Sequence, residues 1–452
     1  MNVPSTEHNV ALAALLVCAL FVLAAAASGA QADSTAVDAQ TPGEYDFELP
    51  EKDGTATVEG KTYDSLTAAL EAADPNSTVR LAGRFNETVV VETPNITLAG
   101  EGPEETVFSG SGEGNVLTID APNVTVSGVW VHNGGYNTSE NDAGIWVDAP
   151  HVTVRDSRVT EMTFGIWLDS VTDARLVGNK IVGRESIRSL TERGNGIQIY
   201  ETTDSVIAGN EVTDVRDGLY YSWASDVLAR NNTMWDLRYG VHYMYSDDSQ
   251  LVGNRAIGND VGYALMVSER LSLRNNVAIN NSGSSGHGIL VKSIDHTTIE
   301  NNTLVGNGNG LFIYNSLDND IVGNLIRYNE VGVHLSAGST RERVHHNAFI
   351  ANDRPVQADI GQQVAWNESA GNYWSGATVA DLNDDAISEI RYQPAGTVEQ
   401  LTSKTPAARI YASSPAFGAI RRAESTVPLV ESPGVVDYRP LANVPRNWSE
   451  HQ

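Results

Sequence analysis

A column of glycines at fixed period constrains this chain more than any other feature. Gly218, Gly240 and Gly262 stand two steps of 22 residues apart (240 − 218 and 262 − 240), inside segments DGLYYSWASD, YGVHYMYSDD and VGYALMVSER that align without gaps. The register extends to Gly144, Gly165 and Gly196 on one side and to Gly288, Gly310 and Gly332 on the other. A second column repeats in phase: Asn179, Asn210, Asn232, Asn254, Asn276, Asn302, Asn324 and Asn347. A period of this length means stacked supersecondary units.

Within one unit the chain alternates after the glycine. The first and third positions are apolar, as in Leu219/Tyr221, Val241/Tyr243 and Tyr263/Leu265, and period-two alternation marks a half-buried strand. Further apolar columns stand three residues before the asparagine (Leu176, Ile207, Leu251) and two after it (Ile181, Val212, Leu304). Each unit therefore carries three short strands that must pair with the units above and below, at about 4.8 Å per rung. The fold predicted is all-β, a right-handed parallel β-helix over residues 55–351, with the asparagines forming an internal amide ladder.

The remaining alternate positions are expected on the solvent face. The second position after the glycine reads Trp146, Trp167, Gln198, Tyr220, His242, Ala264, Leu290, Phe312, His334, and the fourth includes Asp148, Asp169, Met244, Met266, Lys292 and Tyr314. A solenoid keeps its core monotonous and carries function on such a face. Its aromatics and methionines mark it as a partner surface, with Trp146, Trp167, Tyr220, Phe312 and Tyr314 as its contact residues.

From the N-terminus, residues 1–32 read as a signal peptide. The apolar run Val10–Ala27 precedes a small-residue site at Ala30-Gln31-Ala32, but no Lys or Arg precedes the run, so an uncleaved anchor is the alternative. Cleavage there would remove the single cysteine, Cys18, and with it disulfides and thiolate sites. The localisation expected is extracytoplasmic. Residues 33–54 read as a linker. Tyr63–Ala73 reads as a short amphipathic helix with Asp64 at its cap position, closing the open end of the solenoid. Two rungs carry insertions, near Gly183–Arg193 and at Gly283–His287, which are expected to frame a binding face. Residues 352–452 are Pro-rich, with a helical stretch near Thr405–Arg422, and read as a C-terminal cap and docking arm. Its apolar residues Ile410, Tyr411, Phe417, Ile420, Val427, Leu429 and Val435 have no repeat to bury them. A net charge of −28 argues against nucleic-acid binding and suits a halophilic, high-salt setting in which carboxylates keep the surface hydrated. Sequons at Asn86 and Asn137 fit surface glycosylation.

Three chemistries are open to these residues. His242 and Met244 lie two apart on one strand, and Met266 occupies the equivalent of Met244 on the next rung. An imidazole with two thioethers suits Cu(I), although methionines also serve as plain packing. Asp148 and Asp169, flanked by Trp146 and Trp167, could serve sugar binding or cleavage, although no third acid, His or Arg falls beside them in register. Asp381, Asn383, Asp385 and Glu389 in DLNDDAISE have the alternation of a Ca²⁺ loop, with Ala386 where that loop needs glycine.

Several segments resemble the NosD family of extracytoplasmic copper-processing proteins. They are GNGIQIY at Gly194, YGVHYMYS at Tyr239, VGYALM at Val261, GLFIYN at Gly310, GNYWS at Gly371, SPA at Ser414 and PGVVD at Pro433. They follow the family's order over residues 190–441. The resemblance implies a non-enzymatic assembly factor at the outer face of the membrane. Its implied partners are the transmembrane subunit of an ABC transporter, a copper chaperone lipoprotein and nitrous-oxide reductase, whose copper–sulfide centre it helps mature. It favours transient Cu(I) at His242, Met244 and Met266. DLNDDAISE departs from the glycine-rich form of relatives, which weakens the Ca²⁺ reading. The alternative is a secreted carbohydrate-binding or carbohydrate-cleaving β-helix protein.

Overall fold

The computed structural model describes residues 40–43, 45–184, 186–411, 414–426, 434–445 and 448. The expectations for residues 1–32, and for Val427 and Leu429, fall outside them. The chain forms an all-β parallel solenoid of about 13 turns. Its longest strands build a twelve-stranded sheet. The strands that matter below are β1 (Ile197–Tyr200), β2 (Asp217–Ser222), β3 (Tyr239–Met244), β4 (Val261–Glu269), β5 (His287–Asp295), β6 (Asn309–Tyr314), β7 (Val331–Leu335) and β8 (Arg354–Ala358). Neighbours pair in parallel, as in Leu219↔Val241↔Tyr263 and Ser222↔Met244↔Met266. Two three-residue strands complete each turn, such as Leu228–Arg230 and Thr233–Trp235 after β2.

The repeat's chemistry explains the stacking. Leu219, Tyr221, Val241, Tyr243, Tyr263 and Leu265 point inward and are wholly buried. The glycine column exists because the rungs touch there. A Cβ on Gly218 would come within 2.4 Å of the Gly240 carbonyl oxygen. The asparagine column forms a buried ladder from Asn179 to Asn347. Each Nδ2 donates to the next rung's Oδ1 at 2.9–3.1 Å, and the same Oδ1 accepts the lower asparagine's backbone N–H. A second ladder, Asn259–Asn281–Asn307–Asn329–Asn352, runs beside it with links of 2.9–3.1 Å.

Both ends differ from expectation in detail. Helix α1 (Leu66–Glu71) is shorter than Tyr63–Ala73, because Lys61–Tyr63 is a strand. Its N-cap is Ser65 rather than Asp64: the Ser65 hydroxyl accepts from Ala68 N, and the Glu87 carboxylate takes Leu66 N at 2.7 Å. The segment read as a linker is packed against the solenoid, and its Lys52 and Gly54 backbone bonds to Arg84. Tyr45 Oη donates to Glu211 Oε2 at 2.6 Å, and the Phe47 ring lies 3.7 Å under the Arg158 guanidinium.

Two of the resemblance motifs meet beyond the last rungs. Asn372 of GNYWS continues the ladder by accepting from Asn347 Nδ2 at 2.9 Å. Asp437 of PGVVD then accepts from Asn372 N at 2.7 Å and from Trp374 Nε1 at 2.8 Å. The strand Gly434–Asp437 lies between Gln363–Ala365 and β9 (Tyr392–Ala395). Val435, expected to lack a burial partner, is therefore wholly buried. The helical stretch expected over Thr405–Arg422 divides into a 3₁₀ segment, Pro406–Tyr411, and an α-helix, Pro415–Thr426, which follows α2 (Thr397–Lys404) and is α3 here. Proline is tolerated in a first helical turn, so Pro415 starts α3 instead of breaking it. Ile410, Tyr411 and Ile420 remain exposed.

Candidate metal centre

Strand β3 carries His242 and Met244 on one face, and the adjacent β4 carries Met266 in register with Met244. The imidazole is not a surface group. His242 is 7% exposed, held edge-on between the Tyr220 ring (4.7 Å) and the Tyr239 ring (4.9 Å). Its Nδ1 lies 3.0 Å from Oδ2 of Asp217, at the start of β2. A carboxylate only accepts, so in the neutral ring Nδ1 carries the proton and Nε2 the lone pair. That Nε2 is buried and has no hydrogen-bond partner.

Asp217 organises the group. It is wholly buried and takes a two-pronged contact from Arg238, Nε to Oδ1 at 2.8 Å and Nη2 to Oδ2 at 2.5 Å. Burial pushes this carboxyl up, but hydrogen bonds from His242 and Arg238, with the Arg238 charge, outweigh it and hold the group below the ordinary aspartate range. A carboxylate behind an imidazole fixes the tautomer and strengthens the free nitrogen as a ligand. Alternation read from the glycine onward missed Asp217, Arg238 and Tyr239, which sit on or before it. The signal was available: in the position before the glycine, Asp217 is the one carboxylate among Ala143, Phe164, Asn195, Tyr239, Val261, His287, Asn309 and Val331.

Met244 and Met266 are half-buried. Met266 packs with Tyr239 and Phe312 against a cluster of Val261, Ala264 and Leu290. The second-position column is thus not the open face expected. Its large side chains cover one another, leaving Trp167, Gln198, His242, Ala264 and Leu290 buried. Among the described residues no three His, Cys, Asp or Glu side chains could hold a metal, so any metal here would need the thioethers. One neutral imidazole nitrogen and two thioethers fit a soft monovalent cation and suit hard divalent ones poorly.

An exposed ridge borders the methionines. Trp223, Tyr245 and Val267 follow the fourth position on β2, β3 and β4 and are 58%, 44% and 40% exposed, with Trp223 and Tyr245 stacked at 4.5 Å. All three have left-handed backbone (φ 58°, 53° and 51°), which suits Asn, Asp or Gly and disfavours bulky and β-branched residues. On four other rungs the same position is also left-handed and is Ser170, Glu201, Ser293 or Asn315.

The other candidates are placed elsewhere. Trp146 and Trp167 stack face to face at 5.0 Å. Burial and the charges of Asp148 and Glu201 push Asp169 up, against a hydrogen bond from Ser170. Phe312 stacks on His287 at 4.8 Å and meets His334 edge-on. Tyr314 is exposed beside Lys292. On α3, Phe417 is half-buried and Ile420 exposed. The Asp381, Asn383, Asp385 and Glu389 oxygens accept from the backbone N–H groups of their own loop, including Asp385, Ala386, Ile387 and Leu382 at 2.9–3.2 Å.

Residues 177–378, which include the whole candidate centre, match the family model described as "Periplasmic copper-binding protein (NosD)". A Pseudomonas aeruginosa protein named "Probable ABC transporter binding protein NosD" is 40% identical over 307 residues, 65% of this chain and 71% of that one. The chain belongs to the NosD family. A Stutzerimonas stutzeri NosD of the same name is 37% identical over 308 residues, 65% of this chain and 70% of its own. The periplasmic description of the NosD family implies an extracytoplasmic location. Solved structures that are similar in fold include the A-module of the Azotobacter vinelandii mannuronan C-5 epimerase AlgE4 (19% identity, 70% and 95% of the two chains, TM-score 0.43). Another is PfbA, a surface adhesin of Streptococcus pneumoniae (12% identity, 64% and 86%, TM-score 0.48). The family model's match starts at residue 177, after Trp146, Asp148, Trp167 and Asp169, the residues that suggested carbohydrate chemistry.

Proposed function

We propose that this protein is a non-enzymatic carrier that holds Cu(I) transiently at His242, Met244 and Met266. In this reading it acts outside the membrane, beside an ABC transporter, in maturing the copper–sulfide centre of nitrous-oxide reductase. One observation carries the reading: a buried imidazole nitrogen without a partner, backed by a carboxylate, on the strand that carries Met244 in register with Met266. Leaving such a nitrogen desolvated costs about 1–3 kcal/mol, which a bound cation offsets.

The residues divide the work. Asp217 keeps the proton of the neutral His242 ring on Nδ1, which leaves Nε2 as the donor, and Arg238 holds Asp217. Tyr220 and Tyr239 wall the ring from water. Met244 and Met266 supply neutral donors that need no deprotonation before binding. The half-buried thioethers leave one side open, where an incoming donor can bind before the outgoing one departs. The ridge of Trp223, Tyr245 and Val267 gives the copper chaperone or the reductase an apolar seat beside that side. A cell carrying Met244→Leu with Met266→Leu should make folded protein in normal amounts, and reductase without its copper–sulfide centre. Normal reductase in that cell would mean the methionines only pack.

A further inference from the structure

This chain repeatedly builds one contact from its own side chains: an arginine laid on an aromatic ring with a carboxylate at its edge. The Arg184 guanidinium lies 3.4 Å over the Tyr136 ring while its Nε donates to Glu161 at 2.8 Å. Arg158 lies 3.7 Å over Phe47 and pairs with Glu104. Arg238 lies 4.4 Å over Tyr239 and donates to Asp217. A flat cation stacks on a ring face and keeps its N–H donors free along the edge, where a carboxylate meets them.

At one further place the ring and the carboxylates are present without the arginine. The strands Val89–Val91, Leu117–Ile119, Ala143–Val147 and Phe164–Asp169 put Val90, Thr118, Trp146 and Trp167 in one outward column. Trp146 stacks on Trp167 at 5.0 Å with the rings 10° from parallel, so its other face turns toward the Thr118 rung. A threonine is too small to cover an indole, and Val90 beyond it is 51% exposed. The column therefore steps down at Trp146, over two rungs or roughly 10 Å of backbone spacing.

Beside the step stand Glu92, Asp120 and Asp148, all exposed. Asp120 N bonds Val91 O and Asp148 N bonds Ile119 O, both at 3.0 Å, which keeps the three on successive rungs in register. Among the described residues, none of these carboxylates has a hydrogen bond or an ion pair. Elsewhere the solenoid sets an arginine on the rung after such a carboxylate, Arg270 on Asp248 and Arg341 on Asp318. Burial and the charges of Asp148 and Glu92 push the Asp120 carboxyl up, the behaviour of like charges with no cation between them.

We propose that this step receives an arginine side chain from a partner protein, stacked on the open face of Trp146 and hydrogen-bonded to Asp120 and Asp148. A guanidinium fits better than an ammonium, which is not flat, or a quaternary amine, which has no N–H to give the carboxylates. The step precedes residue 177, where the family match begins, and uses none of the copper ligands.

Saturation-transfer NMR on the whole chain, with NaCl holding ionic strength constant, tests this with N-acetylarginine amide, N-acetyllysine amide and choline. The arginine probe should bind saturably and at least about threefold more tightly than the other two. Trp146→Ala should weaken it at least about fivefold, as should Asp120→Asn with Asp148→Asn, with circular dichroism as the fold check. Thr118→Trp keeps every carboxylate and fills the step by extending the indole stack. It should abolish saturable binding without lowering the thermal midpoint, and it keeps the test open if Trp146→Ala does not fold. Lysine probe or choline bound as tightly as the arginine probe would overturn the proposal. So would arginine binding that survives Thr118→Trp, or no saturable binding at all.

Discussion

The inside of the solenoid and the outer face of β2, β3 and β4 differ in how regular they are. Inside, the asparagine ladders in the turns pair their amides with the next rung and with backbone, and the strands stack like on like, with the Tyr221 and Tyr243 hydroxyls as the exceptions that find no hydrogen-bond partner. On the outer side the same strands carry a buried nitrogen without a partner, a desolvated carboxylate and three bulky residues in left-handed turns. Rungs further along, with Ser293 and Asn315 in the turn, show that the fold does not require those strained choices. Stability resides where local rules are obeyed, and function is sought where they are broken without an architectural reason.

The largest effect should come from breaking the obedient face. Asn276 bonds Leu251 O, Asn302 Oδ1 and, through its own Oδ1, Asn254 N and Nδ2. Asn276→Ala orphans groups on both neighbouring rungs and should destabilise by roughly 3–4 kcal/mol, read as a loss of thermal midpoint. A drop under about 1 kcal/mol would show the ladder to be ornamental.

Asp217→Asn comes next, at roughly 2–3 kcal/mol, since it leaves the Arg238 charge less well paired at a largely buried position. The wild type should lose this contribution in acid. The folded Asp217 is held below its ordinary value, so the stability is complete above about pH 4 and disappears as pH falls through the folded value. Denaturation midpoints of wild type and variant should therefore converge in acid and separate above it.

Glu342 provides a test of opposite sign. Its carboxyl is pushed up to about 8 by burial, against hydrogen bonds from Asn319, and its Oε2 is unpaired. A raised acid makes folding less favourable as pH rises from the unfolded value of about 4.3 to the folded one. Glu342→Gln should therefore flatten the pH profile between about 5 and 8 and stabilise the protein by roughly 2–4 kcal/mol at pH 8. Equal stability of the two proteins at pH 8 would contradict it.

The smallest effect sharpens the comparison most. Val267→Asn relieves a β-branched residue in left-handed backbone and should stabilise by about 0.5–1 kcal/mol while impairing copper handover. A destabilised Val267→Asn protein would mean the ridge serves folding.

The periodic part of this account was legible in the sequence because inward columns answer to one constraint, repeated every rung. The Gly218 register and the Asn179–Asn347 ladder are such columns. The second ladder was equally periodic, five residues after the first (259 − 254 and 281 − 276), and was missed because earlier rungs carry Val215 and Leu237 there. The site was half legible. His242, Met244 and Met266 follow from alternation, but the burial of His242 depends on Tyr220 and Tyr239 closing from the sides. Asp217 reaches His242 across rungs from a position that the repeat pattern treats as a spacer. The contact of Asp437 with the ladder was hidden for a related reason: its partner Asn372 is 65 residues away, and no local pattern links them.

The central claim is that the unpaired nitrogen of His242 and two thioethers form one Cu(I) site. X-ray absorption at the copper edge, on protein loaded anaerobically with one Cu(I), tests it most directly. The account predicts a first shell of one nitrogen and two sulfurs, with the sulfurs lost in Met244→Leu/Met266→Leu. That double variant should cost under about 1.5 kcal/mol in stability, because volume is conserved. Copper bound only by nitrogen and oxygen in the wild type, or sulfur scattering that persists in the double variant, would contradict it.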